Sequence, residues 1–425
     1  MATEETISMS QREVKRLQVI QGVLEGRVRP RQAARVLDVS PRQIRRLVQR
    51  VRADGAAGLC HRSRGKPSNR QIAPRRKARV LKLFQTRYAD FGPTFACEKL
   101  AERHQITVSD ETLRGWLKAA AIPYPSRKAR PHRQWRPRRA HRGELVQVDG
   151  SHHAWLETRG PAGVLMAYID DASSEVFARL YAYEGTVPGL DSFQGYATRY
   201  GLPQALYTDH HSTYRGKGAP TVADELAGRE RPQSQFERAV AELGVTILHA
   251  HSPQAKGRVE RLFRTFQDRV IKEWRLARIR TIPAANAFLE TYLPRYNQRF
   301  RVAPAAAADL HRPCPGPTVL AQALCRKTPR TVQPDGTVVC DRQWFQVDEP
   351  HYPKRVVLEE HLDGSRHLTV EGRRLRYHVL PARPARLPAV PVVRSARPRS
   401  TPRPSPDHPW KRRPFKTPGP AGPKP

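Results

Sequence analysis

Three carboxylates stand out because of where the chain places them. Asp149 closes the apolar run Leu145-Val146-Gln147-Val148, and Asp209 closes Ala205-Leu206-Tyr207-Thr208. Glu260 lies early in an amphipathic segment further on. Adjacent strands ending in Asp149 and Asp209 would set both acids on one rim of an α/β sheet, where ligands collect at the carboxyl ends of strands. A helix packed beside that rim could add Glu260. Three such charges repel one another unless cations neutralise them. Mg²⁺ suits them, being hard, octahedral and oxygen-seeking, with positions left for water and phosphate; Mn²⁺ is the natural substitute. Two ions would activate an attacking oxygen and stabilise the leaving one in an in-line phosphodiester displacement. The catalytic and the metal-binding roles thus fall on the same residues, Asp149, Asp209 and Glu260.

Other readings compete. Taken alone, Glu260 reads as an intrahelical ion pair with Arg264 at i+4. Asp170 and Asp171 end the run Val164–Asp170 and are rival ligands, whereas Asp191, Asp224 and Glu237 read as surface helix acids. His152, His153, His210 and His211 flank the two aspartates without a metal-binding motif. They read as DNA or water contacts or as structural residues. The five cysteines are scattered, with no close pair, and read as plain thiols.

The elements that must position the acids follow from periodicity. Strands are expected at 145–149, 164–170, 176–181, 205–209 and 245–249, with helices near 190–200 and 233–243, which makes an α/β layer with a mixed central sheet. After Ser252-Pro253-Gln254-Ala255-Lys256-Gly257, Val259, Leu262, Phe263, Phe266 and Val270 recur at helical spacing and give one buried stripe. Lys256, Arg258, Arg261 and Arg264 load the remainder with positive charge and are candidate phosphate contacts.

Charge extends that theme. With 76 Lys and Arg against 39 Asp and Glu, the 425-residue chain carries a net charge of +37, so its partner is a polyanion. No apolar run approaches the length of a membrane span and the N-terminus lacks a signal pattern, so a soluble, intracellular chain is expected. Residues 30–48 read as helix, short turn and helix, with Ser40 as N-cap and Pro41 at the first position. Arg42, Gln43, Arg45, Arg46 and Gln49 point outward from that second helix. Arginine and glutamine there are the chemistry of major-groove reading, since their forked donors match guanine and adenine edges. That favours duplex DNA over RNA, whose A-form major groove is too narrow for a helix.

At this point the residues resemble a known family. Val146-Gln147-Val148-Asp149-Gly150-Ser151, Tyr207-Thr208-Asp209-His210-His211-Ser212 and Ser252-Pro253-Gln254-Ala255-Lys256-Gly257-Arg258-Val259-Glu260-Arg261 look like the DDE triad of transposases and integrases. The chain is most similar to insertion-sequence transposases of the bacterial ISNCY group. That resemblance implies a retroviral-integrase-like core of ribonuclease H type. It also implies cleavage at transposon ends with strand transfer into target DNA, a divalent metal (normally Mg²⁺, two ions), and a homo-multimer on paired ends. The place would be the bacterial cytoplasm, at the nucleoid. Two departures stand out: 50 residues separate Asp209 from Glu260, with the surplus in 216–233, and His210 replaces a frequent Asn.

The fold class is therefore multidomain α/β. Residues 1–54 are a helix-turn-helix domain, 55–73 a linker, 74–122 a second helix-turn-helix-like domain, 123–142 a basic linker and 143–300 the ribonuclease H-like catalytic core. Residues 301–330 connect to a small β-barrel at 331–380, and 381–425, with 14 prolines and one acid, form a disordered tail. The alternative function is a DNA-binding regulator built on an inactive integrase-like core.

Overall fold

The computed structural model describes residues 7–61, 63–64, 71–125, 136–220, 222–226, 228–249, 257–382, 405 and 407–408. Lys256 and the stretch before it, Trp135, and almost all of the tail lie outside the described residues. The chain divides into two units, 1–133 and 134–425.

The first unit begins with α1 (Gln11–Leu24), α2 (Pro30–Leu37) and α3 (Pro41–Asp54). Ile20, Ala33, Ala34, Ile44 and Leu47 form its core, joined by Leu59. The turn between α2 and α3 works as the sequence predicts. Asp38 ends α2 in the left-handed conformation, φ 51°, and the Ser40 hydroxyl accepts from the Gln43 N–H at 3.2 Å. Ser10 stands at the N-cap of α1, but its hydroxyl donates to the Glu13 carboxylate. Glu13 also takes the His61 N–H, so it ties α1 to the chain beyond α3. The expected linker starts later than position 55. Residues Gly55–Leu59 form a 3-10 turn against α3, so close that a Cβ on Gly58 would lie 2.5 Å from the Arg50 carbonyl oxygen. Three more helices follow, α4 (Pro74–Arg87), α5 (Pro93–His104) and α6 (Asp110–Ala119), with Ser109 capping the last through the Thr112 N–H at 3.1 Å.

The second unit is built on β1 (Leu145–His153), β2 (Gly163–Asp170) and β3 (Val176–Tyr181), then α7 (Thr186–Tyr200) and β4 (Ala205–Thr208). It continues through α8 (Val222–Leu226), α9 (Gln235–Glu242), β5 (Thr246–His249), α10 (Gly257–Leu276) and α11 (Ile282–Phe300). The sheet order is β3-β2-β1-β4-β5. β1 runs antiparallel to β2 and parallel to β4, and β4 is parallel to β5, so the sheet is mixed as expected. Strand alternation sorts its side chains between two helical layers. Val146, Val148, Val164, Met166 and Tyr168 pack on α7 and α9. Leu165, Ala167, Ala178 and Leu180 pack on α10 and α11.

α10 is held by its stripe of Val259, Leu262, Phe263, Phe266 and Val270, all buried. Each contributes roughly 1.5–3 kcal/mol by leaving water. α11 covers the edge strand. Asn286 and Asn297, three turns apart, pair their amides with the backbones of Leu180 and Val176 at 2.7–2.9 Å. These bonds satisfy edge groups that would otherwise template further strands.

α12 (Pro317–Ala323) leads into β6 (Arg326–Thr331), β7 (Thr337–Cys340), β8 (Gln343–Val347), β9 (Arg355–Glu360), β10 (Arg366–Val370), β11 (Arg373–Arg374) and β12 (Tyr377–Leu380). Among the described residues these strands form two antiparallel sheets, β11-β10-β9-β6 and β12-β8-β7, and no closed barrel is found there. Both sheets share one core, which includes Phe345, Val347, Leu358 and Leu368. No helix among the described residues is long and apolar enough to cross a membrane.

Candidate active site and nucleic-acid interface

The strands that lead to the two aspartates are neighbours in the sheet. Gln147 of β1 pairs with Tyr207 of β4 in parallel. The pairing stops there, since β4 ends at Thr208; carried two residues on, the same register would set Asp149 level with Asp209. The face of Asp149 is fixed by neighbours. Asp149 pairs with Ala167, which belongs to the α10–α11 layer, and the Gln147 side-chain amide oxygen (Oε1) accepts the Val259 N–H at 3.3 Å. Asp149 therefore faces the layer of α10, and Glu260 follows Val259 directly. The contact that docks α10 on β1 is thus one residue from Glu260 and two from Asp149. β1 does not end at Asp149, as the sequence suggested, but runs on to His153. Both aspartates are half-buried; Asp149 accepts its own neighbour Gly150 N–H at 3.1 Å, and Asp209 accepts the His211 N–H at 2.9 Å.

Glu260 is 44% exposed, with a carboxylate oxygen 3.9 Å from the Arg264 guanidinium. The ion pair is therefore present, but at the outer limit of contact and exposed, where such pairs contribute little. It leaves the carboxylate facing outward beside the buried stripe. Two aspartates and one helix glutamate offer the oxygen donors that a hard divalent cation takes, but among the described residues their carboxylate oxygens do not all lie within 4.8 Å of one another.

The rival acids serve the fold. Asp170 accepts the Gly143 N–H, the Ser173 N–H and the Ser173 hydroxyl at 2.7–2.8 Å. Asp171 is fully buried and takes the Gln147 amide, the Arg139 N–H and the Arg258 guanidinium at 2.9 Å each, with Arg136 as a further partner. Arg258, expected to hold phosphate, is thus 9% exposed and committed to Asp171 and the Arg136 carbonyl. The end of the expected basic linker is anchored likewise, since Arg138 donates to Ser174 at 2.7 Å and Arg142 to Glu175 at 2.7 Å. Glu237 is no surface acid either. It is buried, and it accepts the N–H groups of Gly216 and Ser234 and the Arg231 guanidinium, closing the 216–233 segment at both ends.

Arg261 and Arg264 remain exposed on α10. Burial, with Arg258 and Arg264 next, pushes the Arg261 guanidinium below its usual pKa, and burial with Arg258 does the same for Arg138. These arginines repel one another, and an anion set among them would relieve that. On α3, Arg42, Arg45, Arg46 and Gln49 are exposed and Gln43 is half-buried.

One acid escaped the sequence reading. Glu184, just after β3, has a side chain only 8% exposed and a carboxylate 2.9 Å from His152 Nε2 and 3.6 Å from His211 Nδ1. It packs on the bare Cα of Gly150, where an added Cβ would lie 2.8 Å from its carboxyl. Glu184 thereby ties the strand of Asp149 to the loop of Asp209. Buried Tyr214 stands close by. Burial drives its phenol well above 10, and Tyr168, Glu184, Asp149 and Asp209 reinforce the shift. No spacing rule marks a single acid in Ala182-Tyr183-Glu184-Gly185; only the packing does.

Comparison with known proteins matches residues 16–78 to the family "Winged helix-turn helix". Among solved structures, the chain is similar to a simian T-cell lymphotropic virus intasome chain at 16% identity, covering 67% of this chain and 99% of that one with a TM-score of 0.33. It is also similar to the HTLV-2 integrase catalytic core domain in complex with magnesium, at 14% identity, covering 36% and 86% with a TM-score of 0.27. The "Transposase for insertion sequence IS1202" of Streptococcus pneumoniae is 29% identical over 327 residues, 68% of each chain. The "Putative transposase y4bF" of Sinorhizobium fredii (strain NBRC 101917 / NGR234) is 40% identical over 380 residues, 88% of this chain and 82% of the relative. Identity at that level over most of both chains means that this chain belongs to the transposase family.

Proposed function

We propose that this transposase cleaves and joins DNA at the ends of its element through Asp149, Asp209 and Glu260, acting as a polynucleotidyl transferase of the DDE type. What supports the reading is the parallel pairing of Gln147 with Tyr207, two residues before each aspartate, together with the bond from the Val259 N–H at the start of α10 to the Gln147 side chain. In this reading the three carboxylates hold two Mg²⁺ ions, with Mn²⁺ as a substitute. When bound, these would supply an activated attacking oxygen and charge stabilisation at the leaving one. The chain's own part is to keep three carboxylates fixed beside a field of arginines. Arg261 and Arg264, with Lys256, hold the phosphate backbone near the cut, whereas Arg258 keeps the helix in place through Asp171.

Arg42, Gln43, Arg45, Arg46 and Gln49 of α3 read the terminal sequence in the major groove, and double-stranded DNA is the partner for both ends and target. The core is of ribonuclease H type, the chain works as a homo-multimer on paired ends at the bacterial nucleoid, and the finer assignment is to the ISNCY group. The test combines the full chain, a labelled duplex carrying the element's terminal repeats, and Mg²⁺. Nicking and joining are expected with the native chain. Asp149→Asn, Asp209→Asn and Glu260→Gln should each abolish both while end binding persists. Activity in all three variants would remove the site. Binding without any cleavage by the native chain would favour the regulator instead.

A further inference from the structure

A second set of donor atoms lies far along the chain from the carboxylates, at the root of the β11-β10-β9-β6 sheet. β6 and β9 pair antiparallel with Arg326 opposite Glu360, so Cys325 and His361 face each other one step further on. Glu359 is two residues before His361 on the same face, and His367 of β10 pairs opposite Glu359. Strand alternation therefore collects Cys325, Glu359, His361 and His367 on one face, while Val356, Leu358 and Leu368 fill the domain core from the other.

The side chains complete what the register begins. The Cys325 sulfur, a Glu359 carboxylate oxygen and a His361 ring nitrogen all lie within 4.8 Å of one another. Cys325 is fully buried, and the His361 and Glu359 side chains are 6% and 9% exposed. His361 Nε2 stands 3.7 Å from Glu359 Oε2, too far for a hydrogen bond, and is a buried nitrogen with no hydrogen-bond partner. The His367 ring lies 5.1 Å from that of His361, edge to face. A buried ring nitrogen left without a partner is costly, and here it points among a thiol and a carboxylate.

We propose that Cys325, Glu359 and His361 form a structural Zn²⁺ site, with His367 or a water in the fourth position. A sulfur, a nitrogen and an oxygen donor suit zinc and disfavour magnesium or calcium. One thiolate and one carboxylate would also balance the ion's charge, as a buried site requires. The location gives the site a purpose. Cys325 follows α12, its carbonyl accepts from Arg238 of α9, and Lys327 reaches Glu242 of α9 at 2.8 Å. Leu362, just past His361, packs on the core layer of α7 and α9. An ion here locks the C-terminal sheets to the α/β core where the chain passes from one to the other.

The experiment uses the untagged full chain produced with zinc in the medium. Metal analysis after gel filtration should find zinc at stoichiometric level, retained in Asp149→Asn and reduced to background in Cys325→Ser and His361→Ala. Co²⁺ added to metal-stripped chain should give a thiolate-to-metal charge-transfer band, which the carboxylates of the first site cannot produce. Should His361→Ala fail to fold, the Co²⁺ spectrum of the native chain still decides. Native protein without stoichiometric zinc and without that band, or a band undiminished in Cys325→Ser, would overturn the proposal.

Discussion

Two aspartate pairs belong to the α/β sheet, and they live in opposite surroundings. Where β1 begins and β2 ends, Asp170 and Asp171 are 3% and 0% exposed, and Asp171 alone gathers Gln147, Arg136, Arg139 and Arg258. Midway along β1 and just past β4, Asp149 and Asp209 are half-buried, and each accepts a backbone N–H just downstream. A carboxylate ringed by buried protein donors is committed to them and holds the fold. In the proposed function, the half-buried pair serves an external cation with Glu260. The same residue type would then hold the fold in one place and the chemistry in another. Removing its charge should damage stability in the first and activity in the second.

The largest effect expected is at the half-buried pair. Asp149→Asn should lower strand transfer by roughly 10³-fold or more, the scale on which active sites lose preorganised charge stabilisation. Its thermal melt should match the native chain. At the buried pair the roles reverse. Asp171→Ala leaves the 9%-exposed Arg258 guanidinium without its buried partner. Breaking such a pair from one side costs about 3–5 kcal/mol, readable as an earlier denaturation midpoint. An Asp171 variant with native stability, or an Asp149 variant that unfolds early, would collapse the distinction.

Glu184 sharpens the comparison because it belongs to neither class. It is nearly buried, like Asp171, yet it braces the half-buried pair through His152 and His211. Groups that orient metal ligands from behind change metal affinity by roughly 10–100-fold when removed. Glu184→Ala should therefore raise the Mg²⁺ concentration needed for strand transfer by that factor while DNA-end binding holds. An unchanged Mg²⁺ requirement would reduce Glu184 to a packing residue.

How much of this could be read from the chain follows the range of the interactions. Strand β3 begins and ends where alternation in Val176–Tyr181 places it, and Ser40 and Ser109 cap the helices they precede, because those signals are local. Asp149 and Asp209 draw attention for the same reason, each following an apolar run. What escaped depends on contacts between distant positions. Arg258 looks like any other arginine on α10 until Asp171, 87 residues earlier, appears beneath it. Cys325, Glu359 and His361 show no motif spacing and meet only through strand register. The C-terminal strands were legible one by one, but how they divide between two sheets is set by pairing partners that turn residues do not specify.

The smallest effect expected concerns the acid that closes the 216–233 segment, and pH reaches it without disturbing the half-buried pair. Burial opposes the charge on Glu237, but the Arg231 guanidinium and the N–H groups of Ser234 and Gly216 outweigh it and hold the carboxyl down to about 2, against 4.5 for an ordinary glutamate. A depressed folded-state pKa favours the native chain fully above the unfolded value and loses that advantage as pH falls toward the folded one. Glu237 should thus stabilise fully above pH 4.5, with the contribution fading between 4.5 and about 2. Melting curves between pH 7 and pH 3 should show the Glu237→Gln chain less stable than native at the top of the range and converging on it at the bottom. A constant gap across that range would mean that Glu237 acts through packing, like an uncharged residue, and that its charge does not close the segment.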